Sequence, residues 1–257
     1  MMNNKSQKKK NNFSLFIWNI ANPSLERAGK QALWLRKRKE DIFVLTEAKG
    51  SEGCKFLERY FQAYGYSVLF SRPQEKEFGI FIISKHPLKK SDFSTRVKYL
   101  PSRVESALLQ QPKRKIEIIG IYVPSRDDSE EKILRKRNFL DNLHKTLKTY
   151  LPTTAYIFCG DFNVLEPDHI PHYPFFQDWE YSFYQNLKNH QLSDAFRHLN
   201  PKINEYSWVG KTGDGYRYDH CFISENLLTN LIKSYYLHEP RHTRLSDHSA
   251  LIIELKI

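Results

Sequence analysis

The amino-acid sequence predicts an α/β fold in which two mixed β-sheets pack face to face, with helices on the outer faces. Predicted strands and helices alternate along the chain, which favours parallel pairs, whereas several strands follow one another closely enough to form antiparallel hairpins. The chain has 257 residues, of which 40% are apolar and 14% aromatic, so it can bury a sizeable core without disulfides. Two stacked sheets covered by helices would bury this much apolar surface.

The first half of the chain alternates between apolar strands and amphipathic helices. A strand is predicted at Phe13–Ile20, and Ser24 is placed to cap the helix that follows. The apolar face of that helix consists of Leu25, Ala28, Ala32 and Leu35. The remaining elements of this half are a strand at 41–47, a helix at 52–63, strands at 67–70 and 78–84, and a strand pair at 104–109 and 116–122 joined by a turn at 112–115.

The second half begins with a longer helix. Asp128 and Glu131 have the spacing of a capping box at its start. Its inward positions are predicted to be Ile133, Leu140, Leu143 and Leu147. The later elements are a central apolar strand that ends near Asp161, an aromatic and proline-rich stretch at 164–190 that becomes helical, a short helix at 193–199, and strands at 219–224, 232–238 and 249–256.

Charge and cysteine content indicate a basic protein of a reducing compartment. Lys and Arg number 40 against 29 acidic residues, and removing the four lysines of the first ten residues from the formal +11 still leaves +7. A basic domain attracts polyanions, most often nucleic acid, although such charge can also serve solubility alone. The three cysteines are far apart and fit neither a disulfide framework nor a zinc site. Without a membrane-spanning run or a signal peptide, we expect a cytoplasmic protein.

The domain organisation is predicted to be simple. Residues 1–12 are polar and basic and are expected to form a disordered tail. Residues 13–257 show no repeat and no linker rich in Gly or Ser, so they are expected to form one domain. We expect this domain to be a monomer that does not bind membranes.

Polar residues suited to a phosphate site follow several predicted strands. In the stretch from Tyr156 to Asn163, side chains alternate, so Asp161 and Asn163 point the same way. A carboxylate can hold a metal or align a water, and a neutral amide can donate to a phosphate oxygen. Taken alone, Gly, Asp and Asn also fit an ordinary turn. The other strand-end groups are Asn19, Glu47, Tyr122, Asp219 and Asp247–His248.

The order of these motifs resembles that of the endonuclease/exonuclease/phosphatase superfamily, in particular its exonuclease III-like and apurinic/apyrimidinic endonuclease branch. The motifs are Trp18-Asn19, Thr46-Glu47, Tyr122-Val123-Pro124, Gly160-Asp161-Phe162-Asn163, Arg217-Tyr218-Asp219 and Ser246-Asp247-His248. The resemblance runs from about Phe13 to Leu255 and implies a four-layer α/β sandwich. It also implies a metal-dependent phosphodiesterase in which water attacks the phosphate in line.

The resemblance assigns roles to the catalytic and metal-binding residues. It implies that Glu47 is the main ligand of Mg²⁺, or of Mn²⁺, beside Asn19 and with Asp247 as a further contact. Asp161 should orient or deprotonate the attacking water. The sequence does not decide whether the base is Asp161 or the pair of His248 and Asp219. The remaining roles are phosphate binding for Asn163 and His248, a positioning role for Asp219, and donation to the phosphate or leaving oxygen for Tyr122.

Five further residues are expected to contact nucleic acid. Arg103 should face a backbone phosphate, Tyr216 and Arg217 should lie near the sugar, and Trp179 and Tyr173 should stack on or wedge a base. DNA is the expected partner, cut by an exonuclease III-like or abasic-site endonuclease-like activity. The pattern departs from the nuclease branch at Ser125, where that branch commonly has Asn. The sequence leaves two alternatives to a DNA nuclease: a phosphatase that acts on small or inositol phosphates, and a non-catalytic module that binds nucleic acid.

Overall fold

The computed structural model describes residues 12–74, 76–110, 115–150 and 155–256. The predicted tail, apart from Asn12, and most of the predicted turn at 112–115 lie outside these residues. The strands are β1 (Asn12–Asn19), β2 (Ile42–Ala48), β3 (Ser67–Phe70), β4 (Gly79–Ser84), β5 (Leu88–Lys90), β6 (Val104–Gln110), β7 (Lys115–Tyr122), β8 (Ala155–Asp161), β9 (Leu192–Asp194), β10 (Trp208–Val209), β11 (Gly215–Tyr216), β12 (Asp219–Ser224), β13 (Leu231–Leu237) and β14 (Ala250–Lys256). The helices are α1 (Leu25–Arg36), α2 (Glu52–Ala63), α3 (Phe93–Arg96), α4 (Glu130–Thr149), α5 (Asp178–Asn186), α6 (Ala195–Leu199), α7 (Glu225–Leu228) and α8 (Glu239–His242), with 3₁₀ turns at Pro101–Arg103 and Leu187–His190.

The strands form two sheets of six and a short ribbon of β10 and β11. The first sheet has the order β13-β14-β1-β2-β4-β3, and the second has the order β5-β6-β7-β8-β12-β9. Each sheet contains one parallel pair, β1 with β2 and β7 with β8, and its other pairs are antiparallel. Both sheets are therefore mixed, which confirms the predicted fold class.

Three apolar clusters account for the layered arrangement. The cluster between the sheets takes Leu15 and Ile17 from β1, whereas the alternate residues Phe16 and Trp18 belong to the cluster under α1 and α2. A third cluster packs the other face of the second sheet against α4 and α5 and includes Phe158. The strands read as continuous apolar runs because both faces of each sheet are covered. The layers are helices, sheet, sheet and helices.

Two local predictions about helices are wrong. Leu25 is 55% exposed, because it opens α1 and lies outside the part that packs on the sheet. The predicted capping box of Asp128 and Glu131 is absent from the start of α4. Ser129 is the N-cap instead, and Asp127 Oδ1 accepts hydrogen bonds from its backbone N at 3.0 Å and its Oγ at 2.6 Å. Ser24 caps α1 as predicted.

Two smaller features complete the fold. The predicted helix at 193–199 begins only at Ala195, because the residues before it pair with β12 as strand β9. Among the described residues, no helix has both the length and the apolar character needed to cross a membrane.

Candidate active site

The polar strand ends predicted from the sequence meet at one rim of the two sheets. The parallel pairs β1–β2 and β7–β8 bring the carboxyl ends of four strands to this rim. The antiparallel partners β12 and β14 start there, so Asp219 lies directly opposite Asp161 in the sheet. The rim therefore gathers residues that are up to 229 positions apart in the chain, from Asn19 to His248.

Asn19 joins the two sheets through its side-chain amide. Its Nδ2 donates to Glu47 Oε2 at 2.9 Å and to Asp161 Oδ2 at 2.8 Å. Its Oδ1 accepts from the backbone N of Ala21 at 2.8 Å, which fixes the orientation of the amide. The hydroxyl of Tyr122 donates to the same Glu47 Oε2 at 3.1 Å. One carboxylate from each sheet is thus held by a shared neutral donor.

His248 and Asp219 form a buried pair beside these carboxylates. Nδ1 of His248 lies 2.7 Å from Asp219 Oδ2. Burial alone lowers the pKa of His248, but the charge of Asp219 and the hydrogen bond to it outweigh burial and raise the pKa to about 10. His248 is therefore protonated at neutral pH, with Nδ1 donating to Asp219. The imidazolium can then donate its remaining N–H to an anion.

Asp161 lies in the same buried cluster. Burial raises its pKa to about 7, and the negative charge of Asp219 acts in the same direction. Its Oδ1 accepts from the backbone N of Asn163 at 2.9 Å, and the side-chain Nδ2 of Asn163 donates to the Val123 carbonyl at 2.9 Å. Asp161 can thus change its protonation state near neutral pH, as a general base must.

Backbone conformations aim two of these side chains into the rim. Glu47 has φ of +58° and Asn163 has φ of +47°, both in the left-handed region that costs non-glycine residues of order 1–3 kcal/mol. Glu47 lies where the pairing of β2 with β4 shifts register, between Leu45 and Ala48. Gly160 has φ of +140°, and a Cβ there would lie 2.0 Å from the Ile121 carbonyl oxygen, so no other residue fits.

The residues of this rim fit a divalent metal ion of the hard type. Ligand atoms of Asp161, Asp219 and His248 lie within 4.8 Å of one another, which is the one such group found in the described part of the chain. Glu47 adds a half-buried carboxylate, and the buried Oδ1 of Asp219 has no hydrogen-bond partner within the described residues. Oxygen donors of this kind suit Mg²⁺ or Mn²⁺. The carboxylate oxygens of this rim can therefore hold a divalent ion, whereas His248 in its protonated form is not a ligand.

A stack of tyrosines borders the cluster. The rings of Tyr173 and Tyr216 are 4.4 Å apart, and those of Tyr216 and Tyr218 are 5.2 Å apart, both nearly parallel. Trp208 extends the tyrosine stack, because its ring centre lies 5.5 Å from that of Tyr216. Its Nε1 donates to Asp247 Oδ2 at 3.1 Å. Tyr173 and Tyr216 were predicted as contact residues. Tyr218 and Trp208 were missed, although the alternation of Tyr216 and Tyr218 along an extended segment placed both rings on one side.

Arg217 does not lie at a binding surface, contrary to the prediction. Its side chain is fully buried and donates to Glu166 at 2.7 and 3.0 Å and to Asp194 at 2.9 Å. The charge of Asp194 contributes to a pKa of Arg217 well above its usual value, against the lowering effect of burial. Arg217 ties the segment after Asn163 to the strand that carries Asp219. This ion pair is structural.

Arg103 and Trp179 also lie elsewhere than expected. Arg103 is 3% exposed, donates to Glu77 at 2.9 Å and to the Tyr122 carbonyl at 3.3 Å, and places its guanidinium 4.8 Å from the Tyr122 ring. It supports Tyr122 and does not face solvent. Trp179 packs in α5 against the core of the second sheet, and its Nε1 donates to Gln177 at 2.6 Å. It is not part of the tyrosine stack.

Comparisons with known proteins agree with this geometry. The sequence profile of the Endonuclease/Exonuclease/phosphatase family matches residues 17–248. Exodeoxyribonuclease III of Haemophilus influenzae is 24% identical over 249 residues, which cover 86% of this chain and 92% of that protein. The structure of an AP endonuclease from Archaeoglobus fulgidus superposes with a TM-score of 0.80 at 24% identity, covering 95% of this chain and 100% of that one.

A third relative is a 3' phosphatase from Neisseria bound to a product DNA hairpin. Its structure superposes with a TM-score of 0.81 at 22% identity, covering 95% of this chain and 100% of that one. These likenesses confirm the predicted resemblance and the predicted sandwich fold. The profile match extends over most of the chain and includes every strand-end residue of the site. The chain is therefore a member of the endonuclease/exonuclease/phosphatase family.

Proposed function

We propose that this protein is a metal-dependent DNA nuclease of the exonuclease III and AP-endonuclease type, which hydrolyses phosphodiester bonds. The observation that carries the proposal is the bridge from Asn19 to Glu47 and Asp161, with the charged pair of His248 and Asp219 beside it. In this proposal the constellation supplies a carboxylate to bind the metal, a base and a cationic donor at one rim. The names of the relatives, which act on DNA or abasic sites, support the choice of substrate.

The pKa values favour Asp161 as the base and His248 as the charged hydrogen-bond donor. His248, with a pKa of about 10, already carries its proton at neutral pH and donates to a non-bridging phosphate oxygen. Asp161, with a pKa of about 7, accepts the proton of the attacking water. Asn163 turns its amide to a second phosphate oxygen, and Tyr122 donates near the leaving oxygen. Asp219 holds His248 in place and in its charged form.

The metal site is proposed to contain Mg²⁺ or Mn²⁺. Glu47 and Asp247 would hold the ion, with Asn19 fixing the carboxylate of Glu47. When bound, such an ion stabilises the negative charge that develops on the phosphate ester and its leaving group. Asp247 is exposed, so the site is open to substrate on that side.

DNA binding is proposed to use the tyrosine stack and the basic surface. Tyr218 lies near Asp161 and Tyr216 stacks on it, so the tyrosine stack borders the position where a sugar or base adjacent to the scissile bond would lie. The formal charge of +11 supplies long-range attraction to the phosphate backbone. We further infer a cytoplasmic location, because the three cysteines are buried and unpaired as in reducing compartments. A monomer is proposed as well. Light scattering of the purified chain tests the oligomeric state.

The test is a panel of labelled DNA duplexes that have blunt ends, recessed ends, an internal nick or an internal abasic site. Each duplex is incubated with Mg²⁺, with Mn²⁺ and with EDTA. We expect cleavage that requires the metal and that is lost in Asp161→Asn. Nucleotides and inositol phosphates, assayed for phosphate release, are the comparison substrates. Phosphate release from these with no DNA cleavage would replace the proposal by a small-molecule phosphatase. DNA binding without any hydrolysis would leave only a binding module.

A further inference from the structure

A buried chain of charged groups connects the outer helical layer to the loop of Asn163. Lys136 of α4 is 1% exposed, and its Nζ donates to Glu180 Oε1 at 2.5 Å and to the Asn163 carbonyl oxygen at 2.5 Å. Glu180 of α5 is fully buried. Its Oε2 accepts from Arg126 Nη2 at 2.5 Å and Nε at 3.1 Å. Arg126 in turn donates to the Phe175 carbonyl at 2.6 Å.

Contacts to its neighbours hold Asn163 in its left-handed conformation. The backbone N of Asn163 donates to Asp161, its side-chain Nδ2 donates to the Val123 carbonyl, and its carbonyl accepts from Lys136. The first two contacts come from neighbouring strand ends. Lys136 approaches from the helical side, away from the rim. Its contact is made to the backbone, so it fixes the peptide whichever way the Asn163 side chain later turns.

The burial of Lys136 costs free energy that a simple core contact would not require. Burial lowers the pKa of Lys136 to about 8, although the charge of Glu180 opposes this effect. Apolar residues can often replace a buried ion pair with no loss of stability. The surrounding α4 positions, such as Phe139 and Leu140, show that this face otherwise packs with apolar side chains. A charged donor here therefore points to a positional role.

We infer that Lys136 is a positioning residue for the reaction, which holds the Asn163 peptide in its strained conformation from behind the site. Glu180 and Arg126 orient Lys136 and tie its position to the loop that ends at Phe175. The inference rests on the proposed phosphate-binding role of Asn163. Loss of the Lys136 donor lets the Asn163 backbone relax, which displaces its amide from the phosphate. A displacement of about 1 Å lowers the rate roughly 10²-fold.

The test is a double-mutant cycle between Lys136→Met and Asn163→Ala, read as kcat and KM for metal-dependent cleavage of duplex DNA. We expect Lys136→Met to lower kcat about 10–100-fold with a smaller change in KM. In the Asn163→Ala background the same change should have little further effect on kcat, because the side-chain amide that Lys136 positions is gone. Lys136→Arg, which keeps a charged donor, should recover much of the rate. Lys145→Met, on an exposed position of the same helix, is the matched control and should match wild type.

The outcomes separate the inference from the proposed function. Loss of activity by the same factor in both backgrounds would mean that Lys136 acts independently of Asn163, and it would overturn the inference. Wild-type-like kcat in Lys136→Met would also overturn it. If Lys136→Met does not fold, the cycle is run with Lys136→Gln, with the same criterion of non-additivity. A wild-type protein without nuclease activity, or a fully active Asn163→Ala, would instead refute the proposed function or the proposed role of Asn163.

Discussion

The substitution Asp219→Asn should move the pH dependence of catalysis towards acid. The pKa of His248 is about 10 because burial is outweighed by the charge of Asp219 and by the 2.7 Å hydrogen bond to it. Asparagine keeps the shape and removes the charge, so the pKa of His248 should fall towards its ordinary value of about 6.5. The pKa of Asp161 should fall as well, because the charge of Asp219 adds to burial in raising it to about 7. Both limbs of a bell-shaped plot of kcat against pH therefore shift to lower pH.

The size of the effect follows from the fraction of His248 that keeps its proton. At about pH 8, a group with a pKa of 10 is almost fully protonated, whereas one with a pKa of about 6.5 is protonated to roughly 3%. If only the imidazolium form is active, kcat at about pH 8 should fall roughly 30-fold from this cause alone. The deficit should shrink to about twofold near pH 6.5.

Two measurements check the reasoning. The first is the pH profile of kcat for wild type and Asp219→Asn on a labelled duplex with magnesium. The second is ¹⁵N NMR titration of the histidines in metal-free protein without DNA. His169, whose pKa is lowered mainly by burial, should titrate alike in both proteins and serves as the internal reference. A rate deficit that is the same at every pH, with His248 titrating unchanged, would refute the assigned role of Asp219.

Three further outcomes are expected. Glu47→Ala should abolish metal-dependent cleavage yet leave DNA affinity within about twofold by fluorescence anisotropy, because the role proposed for Glu47 is to bind the ion and not the DNA backbone. Tyr122→Phe should lower kcat roughly 10–100-fold, since it removes the hydroxyl proposed to donate near the leaving oxygen, and a hydrogen bond to a charged group contributes about 1.5–3 kcal/mol. Arg217→Met should lower the free energy of unfolding by about 3–5 kcal/mol in urea melts, because it leaves the buried Asp194 without its guanidinium partner and Glu166 with Arg197 alone.

Each of these outcomes has a control. Surviving activity in Glu47→Ala would remove Glu47 from the metal site. Glu47→Asp, which keeps the carboxylate, should retain some cleavage. A Tyr122→Phe enzyme with unchanged kcat would limit the hydroxyl to a structural role. If folded Arg217→Met showed unchanged stability but weakened DNA binding, Arg217 would be a contact residue after all, contrary to its burial.

The sequence predicted the layers and the rim because both depend on local patterns. Apolar runs that end in Asn19, Glu47 or Asp161 mark strands whose polar ends lie outside the core, and parallel strands share one edge. The buried ion networks depend on contacts between distant segments. Nothing near Arg217 in the chain shows that Glu166 and Asp194 surround it, so its charge was taken for a surface charge.

Lys136 escaped prediction for a related reason. A lysine on a helix is usually solvated, and the partner that permits its burial, Glu180, lies on another helix. The caps of α4 were misjudged because Asp127, Asp128 and Ser129 are all suitable capping residues, and only the backbone path selects among them.

The position of β14 has a consequence for how the protein is made. β14 pairs with β13 on one side and with β1, the first strand, on the other, and Asp247 and His248 immediately precede it. In a nascent chain on the ribosome, β1 cannot pair with both of its neighbours, β2 and β14, until β14 has emerged. The rim is therefore completed only at the end of translation. A prematurely terminated chain that lacks β14 would carry the basic surface without a working hydrolase.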